Sequence, residues 1–344
     1  MAENTYRSVL CTGRGGPDRL KVVEQALRDP GPGEARIRTL AVAVCQDDIA
    51  ARRGNRPFLP RIPFTPGYSF IGTVDAVGAG AAGVRPGDRV AALTRFGAYS
   101  EFVWHRADAL VAVPETVDPA TAAPLVLNYL VAWQCLHRVA RLKDGGTALV
   151  IGASGGVGTA FLDLARLAGV TVHGLASAGK HAALARFGAI PIDYRNEDFV
   201  AVLKAAVPAG VDAVFNGMAQ DYFRPAMKVL RRGGMLVHYG APQGFWQLWW
   251  LVAMLLALDA LPNGRAVRGY GTHRIGLPAM KSDWKMLFRL LETGKIRPLV
   301  AASYPLLEAR KANEALETGR VAGNVVLDAR RPEIRDGTHR GPSP

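Results

Sequence analysis

The chain has 344 residues, enough for two domains of ordinary size, and its 49% hydrophobic and 21% charged content is that of a globular protein. Three widely separated cysteines (Cys11, Cys45, Cys135) exclude a disulfide framework and a paired-cysteine zinc knuckle; with no basic-then-apolar leader at the start, a reducing cytoplasm is the expected setting. The net charge of +13 would attract nucleic acid or anionic membrane, but the basic residues are dispersed, as in Arg52-Arg53, Arg231-Arg232 and Arg330-Arg331, and no nucleic-acid motif accompanies them, so no nucleic-acid partner is expected.

In chain order, residues 1–118 read as mostly β. Short alternating or apolar runs at 7–11, 20–24, 35–44, 72–77, 89–93 and 98–104 are separated by turns such as Pro30-Gly-Pro-Gly33 and Pro86-Gly-Asp88, which predicts a partly closed β-barrel. Residues 120–139, opened by Pro119, read as one or two helices. From 147 onward, strands at 148–152, 170–176, 190–193, 211–215 and 234–239 alternate with helices near 158–168, 180–187, 196–206 and 221–231. Such alternation predicts an α/β fold with a doubly wound parallel sheet. A further strand at 267–271, helices at 281–293 and 311–318, and a strand at 324–327 complete the pattern; the Arg-, Gly- and Pro-rich tail from 330 is expected to be disordered.

The run 245–258, Phe-Trp-Gln-Leu-Trp-Trp-Leu-Val-Ala-Met-Leu-Leu-Ala-Leu, is almost wholly apolar but shorter than the roughly 20 residues of a membrane span. A buried helix, a substrate-pocket lid with Trp249 in its wall, a subunit interface and a peripheral membrane contact all remain open.

The strand at 148–152 runs into Gly152-Ala-Ser-Gly-Gly-Val-Gly158 and then into a helix. A strand, a tight glycine turn and a helix N-terminus form a cradle for a pyrophosphate, so Ser154, Gly155, Gly156, Val157 and Gly158 are expected to bind a dinucleotide. At the end of the next strand, Ser177 and Lys180 replace the acidic residue that would select NAD and can accept a 2′-phosphate. Asn216, and His238, Tyr239 and Gly240, close later strands at the carboxyl edge of the sheet, where ligands bind.

The order of parts resembles the medium-chain dehydrogenase/reductase superfamily over residues 5–328. Pro63-Phe-Thr-Pro-Gly67 with Gly72-Thr-Val-Asp-Ala-Val-Gly78, Val84-Arg-Pro-Gly-Asp-Arg-Val90, the glycine turn, Gly188-Ala-Ile-Pro-Ile-Asp-Tyr194 and Gly233-Gly-Met-Leu-Val-His-Tyr-Gly240 resemble its zinc-free quinone oxidoreductase branch. Leu127-Asn-Tyr-Leu, Ala176-Ser-Ala-Gly-Lys180 and Pro262-Asn-Gly-Arg265 are similar to a subgroup that includes synaptic-vesicle membrane protein relatives. The resemblance implies a GroES-like barrel domain (1–118, completed by 276–329) around a Rossmann domain (119–275), NADPH as cofactor with Ser177, Lys180 and Tyr194 at its 2′-phosphate, and a homodimer paired through the strand at 267–271. Against the zinc enzymes of the same superfamily, Cys45 matches one metal ligand, but Tyr68 and Leu127 stand near the other two, so no metal is expected. The implied chemistry is hydride delivery to a quinone or to the double bond of an α,β-unsaturated carbonyl, the acceptor being apolar. Tyr68, Asn128 and Tyr129 are candidates for the hydrogen-bond donor, and Cys45, Asp48 and Trp249 for the pocket wall. Cys45-Gln-Asp-Asp48-Ile-Ala50 departs from the family's Asn-x-x-Asp-x-Tyr pattern by losing both the Asn and the Tyr. A weakly or non-catalytic NADPH-binding protein at a membrane surface is the alternative.

Overall fold

The computed structural model describes residues 5–218 and 220–332; the tail from 333 on lies outside the described residues. A hairpin of β1 (Thr5–Cys11) and β2 (Leu20–Ala26) precedes β3 (Glu34–Val44), the long strand of a curled sheet. To β3 pair β4 (Ser69–Val77) and β6 (Phe102–Arg106); β5 (Arg89–Leu93) pairs with β4, and β7 (Val111–Ala112) with β5. Val9, Ile37, Val42, Phe70, Val90 and Val103 pack together to fill the inside of this barrel.

A helical stretch from Pro119 to Ala140, with two turns of wider π geometry, leads to the second sheet. Its strands are β8 (Thr147–Ile151), β9 (Thr171–Ala176), β10 (Ile190–Asp193), β11 (Val211–Asn216), β12 (Leu230–His238) and β13 (Ala266–Gly269). All pair in parallel in the order β10-β9-β8-β11-β12-β13, which is the doubly wound arrangement predicted from the alternation. Ala148, Val150, Phe161 and Phe215 pack on one face, while Leu149, Val214, Leu236 and Leu251 pack on the other. β8 and β11 are therefore buried on both sides, which explains their continuous apolar runs.

The chain then returns to the barrel. β14 (Val300–Pro305) pairs with β15 (Asn324–Asp328), and β15 lies antiparallel on β3. β14 was not legible as a strand, because Val-Ala-Ala-Ser-Tyr-Pro carries little β-branched character and gains its conformation from pairing. The strand expected at 98–104 starts at Phe102; Ala98 to Ser100 instead make irregular backbone contacts with Pro66, Gly67 and β1.

Candidate functional site

The glycine turn is built by three close approaches. Gly152 has φ +83°, a left-handed conformation that favours glycine. A Cβ on Gly158 would lie 2.3 Å from the Gly152 carbonyl oxygen, and one on Gly156 would lie 2.6 Å from Asn128 Nδ2 and 2.7 Å from Asn324 Oδ1. Gly155, with ordinary φ −78°, is the N-cap of the helix Gly156–Leu167 and supplies no side chain to cap it. The first N–H groups of this twelve-residue helix are thus left for a ligand, and a Cβ on Gly155 would meet nothing nearer than the Gly152 oxygen at 3.5 Å. The turn sits at the carboxyl end of β8, where the strand order reverses toward β9 on one side and β11 on the other.

Next to it, the β9–β10 register pairs Ala176 with Asp193, so Ser177 and Tyr194 leave adjacent strands side by side. Partial burial pulls the Lys180 ammonium below its usual range, with Arg195 lowering it further and Tyr194 opposing. The Arg195 guanidinium lies 5.9 Å from the Tyr194 ring centroid. Arg195 escaped the sequence reading, although a cation directly after a strand-ending Tyr was the available signal. No acidic side chain follows β9, so this corner can take a phosphate.

On the other side, the Asn216 and His238 backbones are in register at the ends of β11 and β12. Asn216 Oδ1 accepts from Met218 N at 2.8 Å, forming a turn that closes β11. His238 is buried, its Nδ1 has no partner, and burial holds its pKa at about 4, so the imidazole is neutral near pH 7. Gly240 packs on this ring, where a Cβ would lie 2.9 Å from Cε1, and Gly217 packs on the Tyr239 ring. An uncapped glycine helix start, a phosphate-accepting corner and a buried orphan nitrogen together fit a phosphorylated dinucleotide.

Asn128 and Tyr129 face different partners. Asn128 Nδ2 donates to Asn324 Oδ1 at 2.7 Å, which ties the helical stretch to β15 beneath the glycine turn. The Tyr129 hydroxyl, fully buried, donates to Asp163 Oδ2 at 2.9 Å, and the same carboxylate accepts from Arg297 N at 2.6 Å.

Cys45 ends the linker from β3 and starts an unforeseen helix, Gln46–Arg53. Its signals were present in the sequence: Asp47 and Asp48 in the first turn, Arg52 and Arg53 in the last, and Gly54 at φ +84° to close it. Asp48 is buried, and its carboxylate accepts from Cys45 N (3.0 Å), Cys45 Sγ (3.2 Å), Tyr99 Oη (3.0 Å) and Gly67 N (3.0 Å). Burial raises its pKa to about 6 in spite of these four donors. The carboxylate pins the helix start to the loop that carries Tyr68.

Tyr68 is buried. Burial first, and then the charge of Asp47, raise its hydroxyl above the usual phenolic range, so it stays protonated. Arg56 lies 5.7 Å from the Tyr68 ring centroid, hydrogen-bonds the tyrosine and pairs with Asp47 at 3.4 Å. A loop arginine gave no sequence signal. Cys45 thus has Asp48, Asp47 and Tyr68 around it; no group of three or more His, Cys, Asp or Glu side chains among the described residues could hold a metal ion, and these residues do not fit a zinc site. Trp249 lies in an open aromatic cluster on the helix Phe245–Asp259. It is 57% exposed, its ring 6.2 Å from Phe245, and Phe245 in turn is 6.5 Å from Phe58 of the barrel.

Fold and site define a two-domain, nucleotide-binding oxidoreductase architecture. Residues 31–115 match the alcohol dehydrogenase GroES-like domain and residues 187–327 match a zinc-binding dehydrogenase family. The chain is 32% identical to the human synaptic vesicle membrane protein VAT-1 homolog over 337 residues, covering 93% of this chain and 86% of that protein. It is 30% identical to a Burkholderia 2-haloacrylate reductase, covering 91% and 96%. The structure of Escherichia coli quinone oxidoreductase complexed with NADPH superposes with a TM-score of 0.85 at 27% identity, covering 94% of this chain and 99% of that one. The chain belongs to the medium-chain dehydrogenase/reductase superfamily.

Proposed function

We propose that the protein is a zinc-independent, NADPH-dependent oxidoreductase acting on quinones or on the double bond of α,β-unsaturated carbonyl compounds. Its N–H groups at Gly156–Gly158 would hold the pyrophosphate, Ser177, Lys180 and Tyr194, with Arg195, the 2′-phosphate, and Asn216, His238, Tyr239 and Gly240 the nicotinamide end. When bound, NADPH supplies a hydride. The carrying observation is Tyr68, a buried, protonated hydroxyl beside the Arg56 cation, at the sequence position where the resemblance to the zinc enzymes puts a metal ligand. That hydroxyl can donate to an acceptor oxygen as negative charge collects on it, and Arg56 steadies the same charge; neither task needs a metal. Simple alcohols, whose oxidation relies on a Lewis acid at oxygen, are poor substrates on this reading. The similarity to a 2-haloacrylate reductase and a quinone oxidoreductase supports an electron-poor acceptor. The test is Tyr68→Phe: kcat for a short enone should fall roughly a hundredfold, the scale of losing one such donor, with NADPH affinity unchanged. An unaltered kcat would remove Tyr68 from the reaction.

A second reading, a weakly or non-catalytic NADPH-binding protein at a membrane surface, draws support from the helix Phe245–Asp259. Among its described side chains only Leu251 is buried, while Trp246, Trp249, Trp250 and Leu256 stand at least half exposed on one face. No helix among the described residues is long and apolar enough to cross a membrane. A homodimer joined along β13 belongs to either reading. Because Asp259 Oδ1 already holds Val267 N at 2.8 Å, such pairing has to displace that carboxylate; light scattering should give twice the chain mass, and a monomer's mass removes the dimer.

A further inference from the structure

A cavity of about 370 Å³ opens between the loop 207–210 and the residues 228–232, with Arg265 completing its wall. That volume falls in the range of about 300–1,000 Å³ of small-molecule sites. It lies at the amino ends of β11 and β12, while the glycine turn follows the carboxyl end of the parallel β8. The strand length puts the two on the order of 15–20 Å apart across the sheet. Nothing in the reduction reaction uses this place.

Five cations line it: Lys204, Lys228, Arg231, Arg232 and Arg265, and no carboxylate is among the lining residues. One acid stands behind them, Asp212, and it is spent on Arg231, with Nε to Oδ1 at 2.6 Å. Two of the guanidiniums are held ready. Arg231 Nη1 also donates to the Arg232 carbonyl at 2.9 Å, and Arg265 Nε donates to the Leu230 carbonyl at 2.8 Å while its own backbone N–H is fixed by Asn263 Oδ1 at 2.9 Å. The loops bearing them are tied together by the Gly233 N–H on the Gly264 carbonyl at 2.6 Å. Five cations against the single Asp212 carboxylate leave an excess of like charge that repels itself, and an anion relieves that repulsion. Because the fixed arginines have already lost side-chain freedom, binding costs less ordering than at a mobile lysine patch.

We infer that this cavity is a second anion site, separate from the cofactor cleft, for a ligand carrying two or more closely spaced phosphates. With Arg231 paired to Asp212, a single phosphate would still leave most of the other four cations unmatched, whereas a di- or triphosphate group brings enough charged oxygens to pair with several of them. The phosphates can come from a soluble organic polyphosphate or from a lipid headgroup, the chemistry of recognition being the same.

The experiment is calorimetric titration of inorganic tripolyphosphate into the full chain saturated with NADPH, at physiological ionic strength. One saturable equivalent is expected, weakened at least about tenfold in Lys204→Gln/Lys228→Gln/Arg232→Gln, whose changes fall on exposed side chains, and weakened less in Arg232→Gln alone. Lys180→Gln should leave the affinity unchanged. Absence of saturable binding, full affinity in the triple variant, or loss of binding in Lys180→Gln would each overturn the inference. Vesicles containing phosphatidylinositol 4,5-bisphosphate, whose headgroup bears two adjacent phosphates, separate the two sources: sedimentation that tripolyphosphate reverses points to a headgroup, and tripolyphosphate binding without sedimentation points to a soluble ligand.

Discussion

The glycines of the cofactor turn divide the work between folding and binding, and single methyl groups separate the two. At Gly158 a Cβ would press on the Gly152 carbonyl, so Gly158→Ala has to move backbone and should cost several kcal/mol of stability. At Gly155 the same methyl makes only an ordinary van der Waals contact, 3.5 Å from the Gly152 oxygen, at ordinary φ. Gly155→Ala is therefore expected to keep its melting temperature within about 2 °C while NADPH affinity falls about tenfold or more, read by fluorescence titration; unchanged affinity would take the pyrophosphate away from this turn. Asp48 makes a pH prediction. Its folded pKa of about 6 lies above the ordinary 3.8, so between these values the folded chain binds the extra proton and stability falls as pH rises. The window is worth up to about 3 kcal/mol, two pK units at 1.36 kcal/mol each. Urea unfolding of wild type and Asp48→Asn from pH 4 to pH 7 isolates this group: the stability difference should shift by that order in favour of the variant, and a constant difference would refute the assignment.

At the scale of elements, the helix Phe245–Asp259 presents apolar residues all round, so periodicity could not say which face is buried. The structure answers with Leu251, Met254, Leu255 and Leu258 against the sheet and the tryptophans outward. Trp246→Ser/Trp249→Ser/Trp250→Ser should thus remove co-sedimentation with anionic vesicles while leaving the melting temperature within a few degrees, since exposed helix positions cost tenths of a kcal/mol each. Vesicle binding that survives the triple change would end the membrane-surface reading. The parallel strands and the glycine turn were legible because local sequence alone demands them: β8 is buried on both faces, and Gly152 needs positive φ. Asn324 beneath the turn, Arg56 on Tyr68 and Arg195 on Tyr194 were not, because each meets its partner only through tertiary packing, and a loop arginine carries no periodicity. The helix Gln46–Arg53 stands between these cases: its charges and its closing glycine are readable in the sequence, but its eight residues carry no apolar periodicity.

For the whole molecule, the curled sheet is built from both ends of the chain, with β15 on β3, and the dinucleotide-type sheet is inserted between them. Gly323 N donates to the Ser154 carbonyl at 2.9 Å and Asn324 bonds Asn128, so the returning chain is fastened to the glycine turn itself. Cofactor turn and Tyr68 loop are thereby held by one framework; on the function proposed above, the barrel would contribute the donor and the parallel sheet the nucleotide cradle. Metal-free reduction of an electron-poor acceptor by NADPH is tested most directly by the absorbance of NADPH, with NADH in parallel, for chelator-treated protein given a naphthoquinone, a short enone, a long-chain enal and a simple aldehyde. Turnover of the quinone or enones is expected, with NADPH strongly preferred and the rate untouched by the chelator. Activity confined to the simple aldehyde, or restored only by added zinc, would contradict it.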